Sequence, residues 1–285
     1  MIFAFLPTAV VFFAAMFFFG AAVALLLTNS LFGAIAGLSS MLLSLVAETV
    51  AIKGSHKLYM ASMAQLPTDY DGWLSKQRKI LNRSYGAKRM LVLCNLLYGT
   101  LAYEQTETAM EYLEMLRSAA EKKNQPMLMY HYAAGLLSVK EKKQDLEAAD
   151  TLLAQMYDAL NHPKFPGGEI KAMYVSRFEY NRLKVEFYKR TPEQLRTTDK
   201  HLTEQMIASS RIVSTADGGI NQLLGYAALS CYYNAGLSYV LLGQQQEADH
   251  FFEQIIASGC GYPLVDRVRR YRETQELSVL FEVMP

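Results

Sequence analysis

Charge is absent from the start of this chain. Between Met1 and Ile52 the only charged side chain is Glu48, and all 28 Lys and Arg residues come later. Met1 to Leu27 is one apolar run diluted only by Thr8. At 1.5 Å per residue it reaches roughly 40 Å, more than a bilayer's hydrocarbon core requires. Thr28, Asn29 and Ser30 break it, and a second, weaker apolar run follows from Leu31 to Ala51. The simplest reading of residues 1–52 is a transmembrane helical hairpin. A cleavable signal peptide would carry a basic segment before its apolar stretch, and no basic residue precedes Lys53. Gly33 and Gly37, continued by Ser40 and Ser44, form a small-residue stripe that lets helix backbones approach closely in lipid. The stripe can pair two chains or pack against the matching face of Gly20 and Ala24 on the first span, and the second reading is preferred.

Orientation follows from the charges that flank the hairpin. The turn at 28–30 has no basic residue, whereas residues 53–89 hold eight basic against two acidic side chains. The positive-inside rule then places the polar body in the cytoplasm, on a multi-pass protein of the cell membrane. Within the basic stretch at 53–87, Asp71 can cap a helix with Trp73, Leu74, Gln77, Ile80 and Leu81 on one face. Lys76, Arg78, Lys79 and Arg83 occupy the rest. Such a helix fits an anionic membrane surface, and it fits equally well as the first helix of the domain that follows.

From residue 88 to 285 strand patterns are absent and helical periodicity is continuous. Helices are expected at about 88–103, 106–122, 125–139, 144–160, 168–189, 192–213, 219–242, 245–258 and 263–274. Gly243 and Gly259 stand at helix ends, and Thr191-Pro192 at a start. Short links make neighbours antiparallel, and pairing with a period in the thirties is the mark of a helical repeat array. The fold expected is all-α: two transmembrane helices, then an α-solenoid of about four antiparallel helix pairs.

The clearest repeat spans Tyr232 to Pro263. Gly236, Tyr239, Gly243, Ala248 and Phe252 are spaced by three, four, five and four residues. This pattern resembles the tetratricopeptide repeat, and Tyr132–Leu137 with Leu146–Asp150 echoes it more faintly. The resemblance implies a concave groove, lined by the first helix of each pair, that binds peptides or protein segments. Within the helix at 168–189, Tyr174, Arg177, Asn181, Lys184 and Tyr188 recur on one face. Arg, Asn and Lys framed by Tyr offer an acidic segment or a terminal carboxylate both charge and donors. Tyr233 and Asn234 fall at groove positions of related arrays.

Enzymatic motifs are missing: no phosphate-binding loop, no dinucleotide fingerprint, no nucleophile elbow, and no zinc-ligand spacing among the five His and three Cys. A net charge of +1 argues against a nucleic-acid binder. The chain therefore reads as a non-enzyme without cofactor or metal. Its expected partners are a protein or peptide and the lipid bilayer, within a homo-oligomer or a larger membrane complex. The function expected is a membrane-anchored, cytoplasm-facing scaffold or adaptor. The alternative is an accessory subunit of a transport or secretion complex that uses the hairpin as its interface.

Overall fold

The structure is a computed structural model, and it describes residues 64–142, 145–217 and 225–282, with Val23 alone before them. The chain divides into two compact units, Met1–Ala64 and Gln65–Pro285. The second carries the helical body.

Twelve helices are present among the described residues of this body, and no strand. They are α1 (Tyr70–Asn82), α2 (Gly86–Ala102), α3 (Thr106–Lys123), α4 (Pro126–Lys142), α5 (Ala149–Asn161) and α6 (Gly168–Tyr188). After these come α7 (Pro192–Arg196), α8 (Lys200–Asp217), α9 (Gly225–Leu241), α10 (Gln245–Ala257), α11 (Pro263–Thr274) and α12 (Leu277–Phe281). Each long helix packs on its successor, as expected of antiparallel neighbours on short links. The body is a helical solenoid.

Helix α5 begins at Ala149 instead of 144, and the short α12 lies beyond the expected helices. The expected boundaries differ from the structure most at one place. Residues 192–213 form two helices instead of one. Thr191 caps α7 with a full capping box: its hydroxyl accepts from the Gln194 amide, and the Gln194 side chain accepts from the Thr191 amide. The turn ends at Thr197, and Arg190 holds Asp199 across the break at 3.0 Å.

The two transmembrane helices are corrected. No helix among the described residues is long and apolar enough to cross a membrane. The longest, α6, has 21 residues but carries Glu169, Lys171, Arg177, Glu179, Arg182, Lys184 and Glu186. The uncharged α9 has 17 residues, a length of about 25 Å against the roughly 30 Å of a hydrocarbon core. What stands is an all-α body. Residues 1–52, with the Gly33, Gly37 and Ser40 stripe, lie outside the described residues.

The membrane-surface reading of Trp73 is also corrected. Its ring is 0% exposed and lies over Gly99 of α2, so close that a Cβ there would stand 2.1 Å from Trp73 Cη2. The apolar face of α1 is therefore covered by protein, and Asp69, not Asp71, caps the helix by accepting from the Gly72 amide at 2.9 Å. Arg78 turns to the body as well: its Nε donates to Tyr112 Oη at 2.8 Å, and its guanidinium lies 3.6 Å from Glu111. Lys79 and Arg83 are exposed and Lys76 is half-buried.

Glycine sets the spacing between and within pairs. At Gly135 a Cβ would meet Leu97 at 2.7 Å and Leu113 at 2.9 Å, and at Gly236 it would meet the buried Phe252 ring at 2.4 Å. Gly243, at φ +73°, turns α9 into α10 in a conformation that side chains resist.

The two ends of the body meet. The Gly261 amide donates to the Pro67 carbonyl at 2.8 Å, and Tyr103 donates to the Leu66 carbonyl at 2.7 Å while its ring packs edge-on against Tyr262. Glu104, just past the end of α2, pairs with Arg267 of α11, 163 residues further on. The solenoid curls until its ends touch.

Candidate functional site

Curling leaves one side of α2, α4, α6, α9 and α11 facing a common interior. There the helices border a partly open cavity of about 570 Å³. Each helix contributes residues a turn or two apart. Helix α6 presents Arg177, Asn181, Lys184 and Tyr188, and α4 presents Tyr130, Ala134, Ser138, Glu141 and Lys142. The C-terminal α12 and the residue after it close one wall with Leu280, Phe281 and Glu282.

Five of the six residues named from the sequence as partner-binding line this cavity: Arg177, Asn181, Lys184, Tyr233 and Asn234. The sixth, Tyr174, is corrected. It is buried in the core between α4 and α6, with its ring 4.9 Å from that of Tyr130 and its hydroxyl 2.8 Å from His131 Nε2. Its place in the polar stripe hid this, because the face of α6 turns from cavity to core within one helical turn. Tyr233 and Asn234 line the cavity as braces. Tyr233 donates to the Leu280 carbonyl and so fixes α12. Asn234, 2% exposed, donates to Tyr180 Oη at 2.6 Å and accepts from Tyr188 at 2.8 Å, tying α9 to α6.

The electrostatics fall into two poles. At the first, the Arg177 guanidinium lies 5.8 Å above the Tyr174 ring, close to Tyr130, Tyr98 and His131. His131 bridges two hydroxyls, Tyr98 at 2.7 Å on Nδ1 and Tyr174 at 2.8 Å on Nε2. Burial, with Arg177 adding to it, lowers His131 to about 4, so the imidazole is neutral near pH 7. A neutral ring has one donor and one acceptor nitrogen, which matches one accepting and one donating tyrosine. Burial raises Tyr98 and Tyr130 well above the ordinary phenol range, so both stay protonated, and Tyr130 donates to the Tyr174 carbonyl at 3.3 Å.

At the second pole charges are paired. Lys184 Nζ lies 2.7 Å from Glu141, and Lys142 Nζ lies 2.8 Å from the Glu104 oxygen that also receives Arg267. Burial pulls Lys184 down, but the Glu141 carboxylate outweighs it and the ammonium is stabilised. The carboxylates are half-served. Glu104 and Glu141, with side chains only 7% and 12% exposed, each keep one oxygen with no hydrogen-bond partner, and Arg267 Nε is likewise without an acceptor. Buried polar atoms are rarely left so. Four cations line the cavity against Glu104, Glu141 and Glu282, and Glu282 is engaged by Arg270 at 2.8 Å.

The second pole is not legible in the sequence. Glu141 and Lys142 have the pattern of a solvated helix end, and Arg267 belongs to a strongly charged short helix. One signal is present: Tyr130, Ala134, Ser138 and Glu141 recur on one face of α4, as the stripe does on α6. Among the described residues no group of three or more His, Cys, Asp or Glu is placed to hold a metal. His250, flanked by Glu247 and Glu253, instead lies 2.9 Å from the Gln254 side-chain amide.

The class that the fold and cavity define is a helical solenoid closed around a mixed-charge, tyrosine-lined pocket. Comparison with protein-family models, curated proteins and solved structures finds no match.

Proposed function

We propose that this chain is a binding module, one that holds a peptide or the end of a partner protein's segment in the central cavity. Its acidic or carboxylate-terminated part lies against Arg177 and Asn181. The observation that carries the reading is the convergence of Arg177, Asn181 and Lys184, one face of α6, on one partly open cavity of about 570 Å³. That volume is within the roughly 300–1,000 Å³ of pockets that enclose compact ligands. The tetratricopeptide-like spacing from Gly236 to Phe252 supports it, since arrays of that kind present the first helix of each pair to their ligands. Tyrosine walls supply contact area at small entropy cost, and a guanidinium with an amide beside it matches a carboxylate's two oxygens.

The test is equilibrium dialysis of the full chain against a pool of tetrapeptides of randomised sequence, free at both ends, read by mass spectrometry. Retention by the native chain is expected, favouring acidic sequences. Asn181→Trp, which fills the cavity, should abolish it. Equal retention by both chains, or none by either, overturns the reading.

A further inference from the structure

One wall of the cavity is itself a short peptide. Leu280, Phe281 and Glu282 line the cavity from α12 and its C-cap, and α12 has only five residues. A helix that short has no stability of its own, because nucleation fixes several residues for one hydrogen bond. Its shape is imposed by what it lies against. The link from α11 is Gln275 and Glu276, both exposed, and Gln275 stands at φ +58°, where side-chain-bearing residues seldom sit. The backbone of α12 packs chiefly on α11.

Three helices hold this segment, each by a different chemistry. From α9, the Tyr233 hydroxyl donates to the Leu280 main-chain carbonyl, and the Arg267 guanidinium lies 5.8 Å over the Tyr233 ring. From α6, the Tyr188 ring meets the Phe281 ring edge-on, with 6.4 Å between centres. From α11, Arg270 pairs with the Glu282 carboxylate at 2.8 Å, both side chains 43% exposed. Val279 and Leu280 are buried beneath these ties. A main-chain carbonyl, an aromatic ring, an acidic side chain and an aliphatic anchor are the features by which a groove reads a bound peptide. Two of the readers, Tyr188 and Tyr233, also line the cavity.

We propose that α12 is a built-in occupant of the cavity's rim, holding the place of a partner segment with the same aliphatic–aromatic–acidic order as Leu280-Phe281-Glu282. Binding of that segment displaces α12. The inference rests on the binding function proposed above and deepens it, naming the chemistry of the partner and the segment that competes with it. A tethered competitor acts at high effective concentration, so α12 lowers the apparent affinity for any segment that needs its place.

The experiment uses a fluorescein-labelled, C-amidated peptide with the sequence Glu276–Glu282, followed by fluorescence anisotropy. It is added to the native full chain and to full-length Leu280→Asp, whose new carboxylate resists burial and loosens the tethered copy. The variant should bind the peptide at least about tenfold more tightly than the native chain does. Phe281→Ala within the peptide should cost about tenfold. Equal binding by both chains, or none by a variant that keeps native circular dichroism, overturns the inference. A second measurement needs no variant. The Val279 and Glu282 amides donate to the Glu276 and Val279 carbonyls, and in the native chain they should exchange hydrogen at least about a hundredfold faster than the amides of α11. Protection equal to that of α11 makes α12 a fixed wall and overturns the inference. Retention of the tetrapeptide pool by the native chain beside either negative result removes the self-occupancy and leaves the binding module. No retention by the native chain or by Leu280→Asp removes both.

Discussion

Glu104 is the residue whose loss should be felt most. It stands at φ +59°, a conformation that costs a side-chain-bearing residue about 1–2 kcal/mol, and its carboxylate holds Lys142 and Arg267 together. Glu104→Gln keeps the shape and removes the charge. Two cations, 15% and 11% exposed, then face each other without an anion between them. Removing one partner of a buried pair costs about 3–5 kcal/mol, and the slight exposure here places the loss near the lower value, about 3 kcal/mol. With a urea slope of about 2–3 kcal/mol/M, the unfolding midpoint should fall by roughly 1 M. Glu104→Gly makes the same electrostatic cut but relieves the backbone, and should be about 1 kcal/mol more stable than the Gln variant. The assay is urea unfolding of the full chain followed by circular dichroism at 222 nm. A Glu104→Gln midpoint within about 0.2 M of the native one would refute the reasoning, because the three charges would then behave as a surface cluster.

Further outcomes are expected. Gly236→Ala brings a methyl to 2.4 Å from Phe252; overpacking of about 1–3 kcal/mol should exceed the helix-propensity gain of about 1 kcal/mol, and Phe252→Leu should recover the loss in thermal melts. His131 titrates near 4 when folded against its ordinary 6.5. The unfolded chain therefore binds the extra proton between these values, and stability should fall as pH drops through that window, by at most about 3 kcal/mol. His131→Gln should flatten the melting temperature over the same range. Arg177→Gln should lower retention of carboxylate-ended tetrapeptides at least tenfold, while loss of its stacking on Tyr174 costs only about 0.5–2 kcal/mol in thermal melts. Burial pushes the Cys94 thiol up to about 12, so iodoacetamide at pH 8 should leave it unmodified in the folded protein and label it once urea is added.

Helix positions are written in local chemistry, and most are legible there. Thr106, Pro263 and Gly243 mark ends that the structure reproduces, because caps and left-handed turns depend only on neighbours. The break at Thr197 is hidden because Leu195, Leu202 and Met206 keep apolar spacing across it and all three are buried. Trp73 misleads for a different reason. An amphipathic helix has the same pattern whether lipid or protein covers its apolar side, and only Gly99, 26 residues away, decides the matter. In the site, α6 announces its polar stripe, whereas Glu104, Glu141 and Arg267 acquire meaning only when the chain curls and brings their helices together. That information is in no window short enough to read by periodicity.

The contact between Arg267 and Glu104 also changes how such an array unfolds. A linear stack of helix pairs has two free ends and frays from them, each pair leaning only on its neighbours. Here the terminal pairs lean on each other across 163 residues, a closure whose entropic cost is roughly 4–5 kcal/mol by loop scaling and is met once, when the circle forms. After that no pair is terminal. Loosening any one of them strains the seam, so the pairs should melt together, and hydrogen exchange should find protection at α2 and α11 as high as at the centre.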